Sequence, residues 1–308
     1  MMPIVRAAAW LVAQAGRLIV AGVFLSAGVL KSFDPEGFAV EVSQYGIIGG
    51  WAAQVAAYAL IPIEIALGVA LLLNWRPRVT LAAAAGLLLF FMGAIVFALA
   101  TGQNLEGCGC FGRAMPRTPQ QTLLEDGLLV ALAGLAWGVL GRGAAEARGR
   151  WKTALVAGTV AASAAFALAS PHLPIDDAVT ELKPGVSWND LDVALAEVDL
   201  SEGTHLVALL GMKDERSAQA LPQLNRLAEE GEPLVGLYGE EESAYNEFLW
   251  TRAPAFPLYN VSPSDMRRLH RRLPRFFAVT GGRVAATWDS PPSPESVRAA
   301  VGGSREAS

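Results

Sequence analysis

The sequence predicts an α-helical membrane bundle of five spanning helices, followed by a soluble α/β domain. Two observations support this prediction. Just over half of the 308 residues are apolar (53%) and only 17% are charged, which is unusual for a soluble chain of this length. Nearly all long uncharged runs precede Pro171, whereas acidic and basic residues are dense after Asp176. The formal net charge of −5 is spread over both halves and argues against nucleic acid as a partner.

The spanning helices are predicted from runs of roughly 20 apolar residues, the length that crosses about 30 Å of hydrocarbon. Arg17 lies inside the first run and Glu64 inside the second. No small-residue cleavage site follows the first run, so we interpret it as a retained helix and not as a signal peptide. The predicted spans are residues 8–31, 52–73, 79–101, 123–140 and 153–170.

The orientation of the bundle is predicted from its basic residues, because short loops rich in Lys and Arg stay in the cytoplasm. With the N-terminus inside, the outer loops keep only Lys31, Arg113 and Arg117. Residues 102–121 and everything after Pro171 then lie on the periplasmic or extracellular side. The cytoplasmic side receives Arg6, Arg76, Arg78, Arg142, Arg148, Arg150 and Lys152.

The chain has two cysteines, Cys108 and Cys110, and they lie one glycine apart in the predicted outer loop. Gly109 would permit the sharp bend that a bond between them requires. A small strained disulfide in an oxidising compartment would suit exchange with another protein. Two alternatives stay open at this point: the cysteines could be inert loop residues, or two thiolates could bind a metal. No histidine has metal-ligand spacing with them.

Glu64 lies near the middle of an apolar run, where an unpaired carboxylate costs several kcal/mol. Arg17 also lies inside a predicted span, so we expect an Arg17–Glu64 pair between the first two helices. Such a pair could fix helix packing only, or it could belong to a proton or quinone site coupled to the thiols.

The membrane half resembles the MauE family of methylamine utilisation proteins, within the wider DoxX-like membrane group. The resemblance covers residues 17–138 and implies a four-helix MauE/DoxX-like core. It also implies a redox-associated membrane protein that helps to mature a periplasmic enzyme, in the methylamine case the disulfide-rich small subunit of methylamine dehydrogenase. The matching residues are Arg17, Phe24, Gly28, Lys31, Asp34, Pro35, Phe38, Pro62, Glu64, Gly68 and the loop Cys108-Gly109-Cys110-Phe111-Gly112.

After Asp176 the pattern changes to short strands and helices. Strands are predicted at 205–210, 233–238, 275–279 and 283–287, and helices at 217–230, at 240–250 and from Pro294. The last two strands form a hairpin that turns at Gly281-Gly282. This order of elements is that of a thioredoxin fold, although periodicity alone leaves other α/β sandwiches open.

The soluble half is similar to thioredoxin-like domains when residues 206–207 are set on the first central strand. The helix proline of that family then falls on Pro222, and its two active cysteines fall on Asp214 and Ser217. The place of its cis-proline, which presents backbone to a substrate peptide, falls on Pro274. The resemblance implies a domain without CxxC that is better suited to binding a client than to electron transfer. The alternative is a rigid cap that only shields the membrane loop. A neighbouring basic cluster is predicted to be a solvated helix face or an anionic docking patch; it comprises Arg267, Arg268, His270, Arg271, Arg272 and Arg275.

The predicted domains are a MauE/DoxX-like domain at 1–141, a cytoplasmic loop with the fifth helix at 142–175, and a periplasmic domain at 176–308. We expect a thiol-redox or maturation factor of the bacterial cytoplasmic membrane. Its expected partners are a cysteine-containing periplasmic client and membrane lipid, with quinone as a candidate electron acceptor and no metal. The alternatives are a non-enzymatic assembly scaffold and a metal-handling membrane protein.

Overall fold

A computed structural model describes residues 2–103, 105, 118–140, 149–193, 195 and 198–303. The chain divides into two compact units, Met1–Leu173 and Pro174–Ser308. The prediction that divides the first 175 residues into two domains, at 141, stays a prediction.

Five helices of the first unit are long and apolar enough to cross a membrane, which agrees with the number predicted. Each observed helix overlaps one predicted span, and each begins one to six residues before the predicted start. They are α1 (Met2–Phe33), α3 (Trp51–Leu72), α4 (Pro77–Ala100), α5 (Pro119–Leu140) and α6 (Arg150–Ala169).

A short helix that the span analysis did not predict, α2 (Pro35–Gln44), follows the first span directly. Its start has a local cause. Asp34 caps the helix by accepting a hydrogen bond from the Gly37 backbone N–H at 3.0 Å, and Pro35 occupies the first helical position. Phe38 and Ala39 are buried, so α2 presents one apolar face to the bundle.

Helices α1 and α3 pack antiparallel through two glycines. A Cβ atom on Gly68 would lie 2.5 Å from Leu25 Cγ, and one on Gly28 would lie 2.6 Å from Ile65 Cγ1. Small residues of this kind allow two helix backbones to approach closely within a membrane. The contact sets the register of the two helices and therefore decides which polar side chains meet.

The second unit contains a five-stranded sheet in the order β3-β2-β1-β4-β5. The three strands β1, β2 and β3 are parallel, and β4 and β5 run antiparallel to them. The strands are β1 (Thr204–Leu209), β2 (Leu234–Tyr238), β3 (Leu258–Asn260), β4 (Arg275–Thr280) and β5 (Arg283–Trp288).

The two faces of this sheet are both covered. Alternation along β4 sends Phe276 to one core and Phe277 to the other. Helices α8 (Glu215–Glu229), α9 (Glu242–Arg252) and α11 (Pro294–Gly303) contribute side chains to the first core. The short helix α10 (Pro263–Leu269) contributes to the second, beside Trp188. This sheet and helix order give the second unit a thioredoxin-like α/β fold, as the sequence predicted.

Three parts of the second unit were not predicted. Strand β3 has three residues, and α10 has seven. Residues 174–191 carry the short helix α7 (Asp176–Val179) and a single turn at Trp188–Leu191. Periods of two or 3.6 residues cannot be recognised over so few positions.

Candidate functional site

The predicted thiol pair, Cys108 and Cys110, lies outside the described residues. The segments on either side of it are described. On the entering side Leu105 is buried against Ile95 and Ala98, with the ring of Tyr45 packed on the same cluster. On the leaving side Thr118 caps α5: its hydroxyl accepts from the Gln121 N–H, and the Gln121 side chain accepts from the Thr118 N–H.

The predicted Arg17–Glu64 pair is wrong, because Glu64 pairs with Lys31. Lys31 Nζ lies 2.6 Å from Glu64 Oε1, and both side chains are almost fully buried. Lys31 is a residue of α1, so its placement in an outer loop is also wrong. The Lys31 ammonium lies over two aromatic rings, 4.6 Å from the centre of Phe38 and 5.4 Å from that of Phe91.

Arg17 is held by α3 in another way. Its guanidinium donates to the backbone carbonyl oxygens of Leu71 and Leu72 at the end of α3, and its Nε donates to Gln14 at 2.8 Å. The Leu71 carbonyl also accepts from the Asn74 N–H at 3.1 Å, and Arg17 adds a charged donor to this C-terminal end of α3. Arg17 and Lys31 are fourteen positions apart, which corresponds to about 21 Å along α1 and keeps Arg17 away from Glu64.

The two residues predicted at the thiol positions of the soluble domain lie together at the start of α8. Asp214 caps the helix, accepting from the Ser217 N–H at 3.0 Å and from the Ser217 hydroxyl at 3.0 Å. Ser217 is fully buried, and its Oγ accepts from the Gly211 N–H at 3.0 Å. The side chains of Asp214 and Ser217 are thereby hydrogen-bonded at the start of the helix. Their roles there are structural, and neither side chain contains sulfur.

The Leu273–Pro274 peptide bond is cis, as the sequence comparison with thioredoxin-like domains predicted. A cavity of about 380 Å³ lies beside it. Within the described part of the chain, the Leu273 backbone has no hydrogen-bond partner. The cavity is lined by residues of both charges and by amides, namely Asp176, Arg216, Gln219, Ala220, Gln223, Arg272, Leu273, Pro274, Asp289, Ser290 and Pro291.

Burial shifts the pKa of one carboxyl group in this cavity, that of Asp289. Desolvation, reinforced by the nearby charge of Asp176, raises the pKa of Asp289, and Arg275 and Arg272 oppose the shift. The carboxyl therefore takes up a proton more readily than a free aspartate does.

The basic cluster near Pro274 is neither a fully solvated helix face nor a free anion patch. Three of its arginines bind the segment that opens the second unit: Arg268 to Glu181 at 2.6 Å, Arg271 to Asp176 at 3.3 Å, and Arg275 to Asp177 at 2.5 Å. Arg275 is almost fully buried and also donates to the carbonyls of Leu182 and Leu269.

The electrostatics of two of these arginines differ with their burial. Desolvation lowers the pKa of Arg275, and the negative charges of Asp176 and Asp177 oppose this shift. The hydrogen bond to Glu181 raises the pKa of Arg268, which is nearer the surface. Both guanidinium groups stay charged at neutral pH. Among the described residues, no group of three His, Cys, Asp or Glu side chains is arranged to hold a metal ion.

Comparison with known families supports the reading of the membrane half. Residues 8–140 match the family model described as Methylamine utilisation protein MauE. The membrane half therefore carries a MauE-type domain. Together with five helices of spanning length, this makes the chain a multi-pass membrane protein.

Two individual proteins are similar to parts of the chain. Protein TlpB of Flavobacterium psychrophilum is 28% identical over 127 residues, which is 38% of this chain and 34% of that protein. The chain thus spans about a third of the length of that relative. A thioredoxin-related protein from Neisseria meningitidis serogroup B aligns in structure with 37% of this chain and 91% of its own, at 13% identity and a TM-score of 0.31.

Proposed function

We propose that this protein is a membrane thiol-redox factor that supports disulfide formation in, or maturation of, an exported enzyme. The observation that carries the proposal is the start of α8, where Asp214 and Ser217 take the places of the two thiols of a thioredoxin-like domain. The chain has two cysteines in all, and both lie in the loop of the MauE-type domain. Thiol chemistry in this protein therefore falls to Cys108 and Cys110.

The exchange step needs no further cofactor once the pair is oxidised. A thiolate of the client attacks one sulfur of the Cys108–Cys110 disulfide, which gives a mixed disulfide and releases the other cysteine as a thiolate. The second thiolate of the client then attacks the mixed disulfide. The client leaves oxidised, and the Cys108–Cys110 pair has taken up its two electrons and remains as a dithiol.

The soluble domain is proposed to hold the client. The unpaired Leu273 backbone beside Pro274 can accept one extended strand of a client through main-chain hydrogen bonds. The adjoining cavity offers arginines, carboxylates and amides to the side chains of such a segment. This is the proposed client site.

The proposed setting follows from the distribution of basic residues. The protein would lie in the bacterial cytoplasmic membrane, with its N-terminus inside and its soluble domain on the periplasmic or extracellular side. Because the matched family is named for methylamine utilisation, the proposed client is an enzyme of methylamine metabolism. The disulfide-rich small subunit of methylamine dehydrogenase, which the resemblance to MauE implies, is the example we propose.

The test replaces both thiols in the full-length protein, Cys108→Ser with Cys110→Ser, and measures the disulfide content and activity of the client in cells. We expect client maturation to be lost while the variant accumulates in the membrane at the normal level. The matched control is Asp214→Asn with Ser217→Ala, which changes the corresponding pair of the soluble domain and should leave maturation intact. A single Cys110→Ser variant should trap the client as a mixed disulfide that reductant releases.

Two outcomes would replace the proposal. Full maturation with the double serine variant would favour a scaffold in which the cysteines are structural. Stoichiometric metal in the purified protein, lost together with the thiols, would favour metal handling.

A further inference from the structure

A small cavity inside the membrane unit is lined in part by Lys31. Its volume is about 90 Å³, and its walls are almost wholly apolar. Aromatic and aliphatic side chains of α2, α3, α4 and the segment after α2 line it, among them Phe38, Tyr45, Leu60, Phe90 and Phe91. Phe90 and Ile47 are 61% and 49% exposed, so the cavity opens at the outer surface of the bundle. In a membrane protein that surface meets lipid, and a ligand could enter from the bilayer.

The polar groups at this cavity have unused hydrogen-bonding capacity. An ammonium group has three N–H donors, and Lys31 makes one hydrogen bond among the described residues, to Glu64 Oε1. Behind it, Glu64 Oε2 is buried and has no partner in the same part of the chain. Buried polar groups are normally satisfied, so an incompletely bonded ion pair whose lysine lines an apolar cavity indicates a binding partner.

The charge of the pair selects the class of that partner. Lys31 and Glu64 together carry no net charge, so an anionic lipid headgroup would find no uncompensated cation in the cavity. A neutral carbonyl oxygen can accept one of the remaining Lys31 N–H bonds. The small volume and the rings of Phe38 and Phe91 suit a single flat ring, and the opening between Ile47 and Phe90 suits an apolar tail.

We propose that this cavity binds a lipid-soluble quinone, with one ring carbonyl accepting a hydrogen bond from Lys31 Nζ. Its role rests on the proposed function: the quinone would reoxidise the Cys108–Cys110 dithiol. In that step two thiols lose two electrons and two protons and form one S–S bond. The quinone gains both electrons and both protons and leaves as the quinol. The Lys31–Glu64 pair is the proton-exchanging group next to the ring oxygen.

The chain also connects the cavity with the thiol loop. Tyr45 lines the cavity and packs on the cluster that contains Leu105, and Leu105 precedes Cys108 by three positions in the sequence. The ligand and the start of the thiol loop thus share one side chain.

The experiment measures binding of a short-tailed ubiquinone and a short-tailed menaquinone to the purified full-length protein in lipid nanodiscs. Nanodiscs without protein give the background for partitioning into lipid. We expect saturable binding of at least one quinone and about tenfold or greater weakening in Lys31→Met, the size of one lost hydrogen bond to a charged donor. The control Arg78→Met removes an exposed cation of the same unit and should bind normally.

A second variant tests the cavity without touching the ion pair. Leu60→Trp should fill the space and abolish binding, while its thermal unfolding confirms that the bundle is intact. Binding to the protein no greater than to empty nanodiscs, or equal binding by wild type, Lys31→Met and Leu60→Trp, would overturn the inference. Displacement of the quinone by anionic phospholipid at equal mole fraction would also overturn it, in favour of a lipid site.

The inference and the proposed function fail separately. The Cys108→Ser, Cys110→Ser variant should still bind quinone, because the cavity residues are unchanged. That variant could bind normally while the wild-type protein, supplied with a dithiol, never reduces the bound quinone. This result would support the quinone site and contradict the thiol-redox function.

Discussion

Asp214 has a structural task at the residue scale: its carboxylate accepts from the backbone N–H and the hydroxyl of Ser217 at the start of α8. Removing a helix cap typically costs about 1 kcal/mol of stability. Removing the Ser217 hydroxyl leaves the Gly211 N–H without its acceptor, with a cost of the same order.

We predict that Asp214→Ala lowers the unfolding free energy of the soluble domain by about 1 kcal/mol, and that Asp214→Asn, which can still cap, costs less. Chemical unfolding of the full-length protein in detergent, followed by tryptophan fluorescence, to which Trp188 and Trp288 of the soluble domain contribute, measures the difference. Because neither residue has a redox role in the proposed function, client maturation should persist in both variants. Loss of maturation in a folded Asp214→Asn variant would show a chemical role that the proposal denies.

The intramembrane charges show what a sequence can and cannot predict for single residues. The need of Glu64 for a cationic partner followed from its position in an apolar run, and the structure provides such a partner. The identity of the partner did not follow, because it depends on the register of two antiparallel helices. That register is set by Gly28 and Gly68, whose close contacts only the folded bundle reveals. Lys31 also lies so near the end of its apolar run that it was taken for a loop residue.

At the scale of elements, the contact between α1 and α3 depends on the missing side chain of Gly68. We predict that Gly68→Ala destabilises the bundle by about 1–3 kcal/mol, because its Cβ would meet Leu25 Cγ at 2.5 Å and the Ala21 carbonyl oxygen at 3.0 Å. Gly22→Ala is the matched control, since a Cβ there meets nothing within 4 Å. Unfolding in a denaturing detergent should separate the two variants, and equal stability would exclude close packing at Gly68.

A second prediction at this scale concerns the pairing of α7 with β4. Arg275→Met should destabilise the soluble domain by about 3–5 kcal/mol, because Asp177, Thr180 and the Leu182 carbonyl lose a buried donor. Arg283→Met provides the control, since that arginine is exposed and donates one hydrogen bond, to Gly185. Thermal unfolding of the full-length proteins compares the two variants. If Arg275→Met loses no more stability than Arg283→Met, the Arg275–Asp177 pair does not stabilise the domain.

Element by element, the sequence was most informative where a pattern was long. All five spans and the strands β1, β2, β4 and β5 were predicted within a few residues of their observed ends. Helix α2 was missed because a ten-residue amphipathic helix directly after a span lacks a run of its own. The ion pairs of α7 were missed because Asp176 and Arg271 are far apart in sequence, and composition alone cannot distinguish a clamp from a solvated charge cluster.

At the scale of the whole molecule, the burial of Lys31 changes the argument for orientation. A lysine that is paired with Glu64 inside the bundle no longer counts as a loop charge, so the predicted outer loops retain only Arg113 and Arg117. The basic residues of the predicted cytoplasmic loops keep their excess. The asymmetry that predicts an inside N-terminus therefore becomes stronger.

We predict that a reporter enzyme active only outside the cytoplasm works when fused after Ser308, and that the same reporter fails when fused within residues 141–148. A cytoplasm-specific reporter should give the opposite result at both positions. Activity of the cytoplasmic reporter after Ser308 would reverse the orientation and remove the soluble domain from the compartment in which its client is expected.

The clamp between Arg275 and residues 177–182 also limits how the soluble domain can be excised. A fragment that begins after Leu182 would keep the buried guanidinium of Arg275 but lose Asp177, Thr180 and the Leu182 carbonyl that neutralise and solvate it. The stretch that looks like a dispensable linker is thus an integral part of the folding unit. Deletions and protease cuts that spare the sheet but remove this strap should yield an insoluble product, whereas fragments that begin at Pro174 should fold without the membrane.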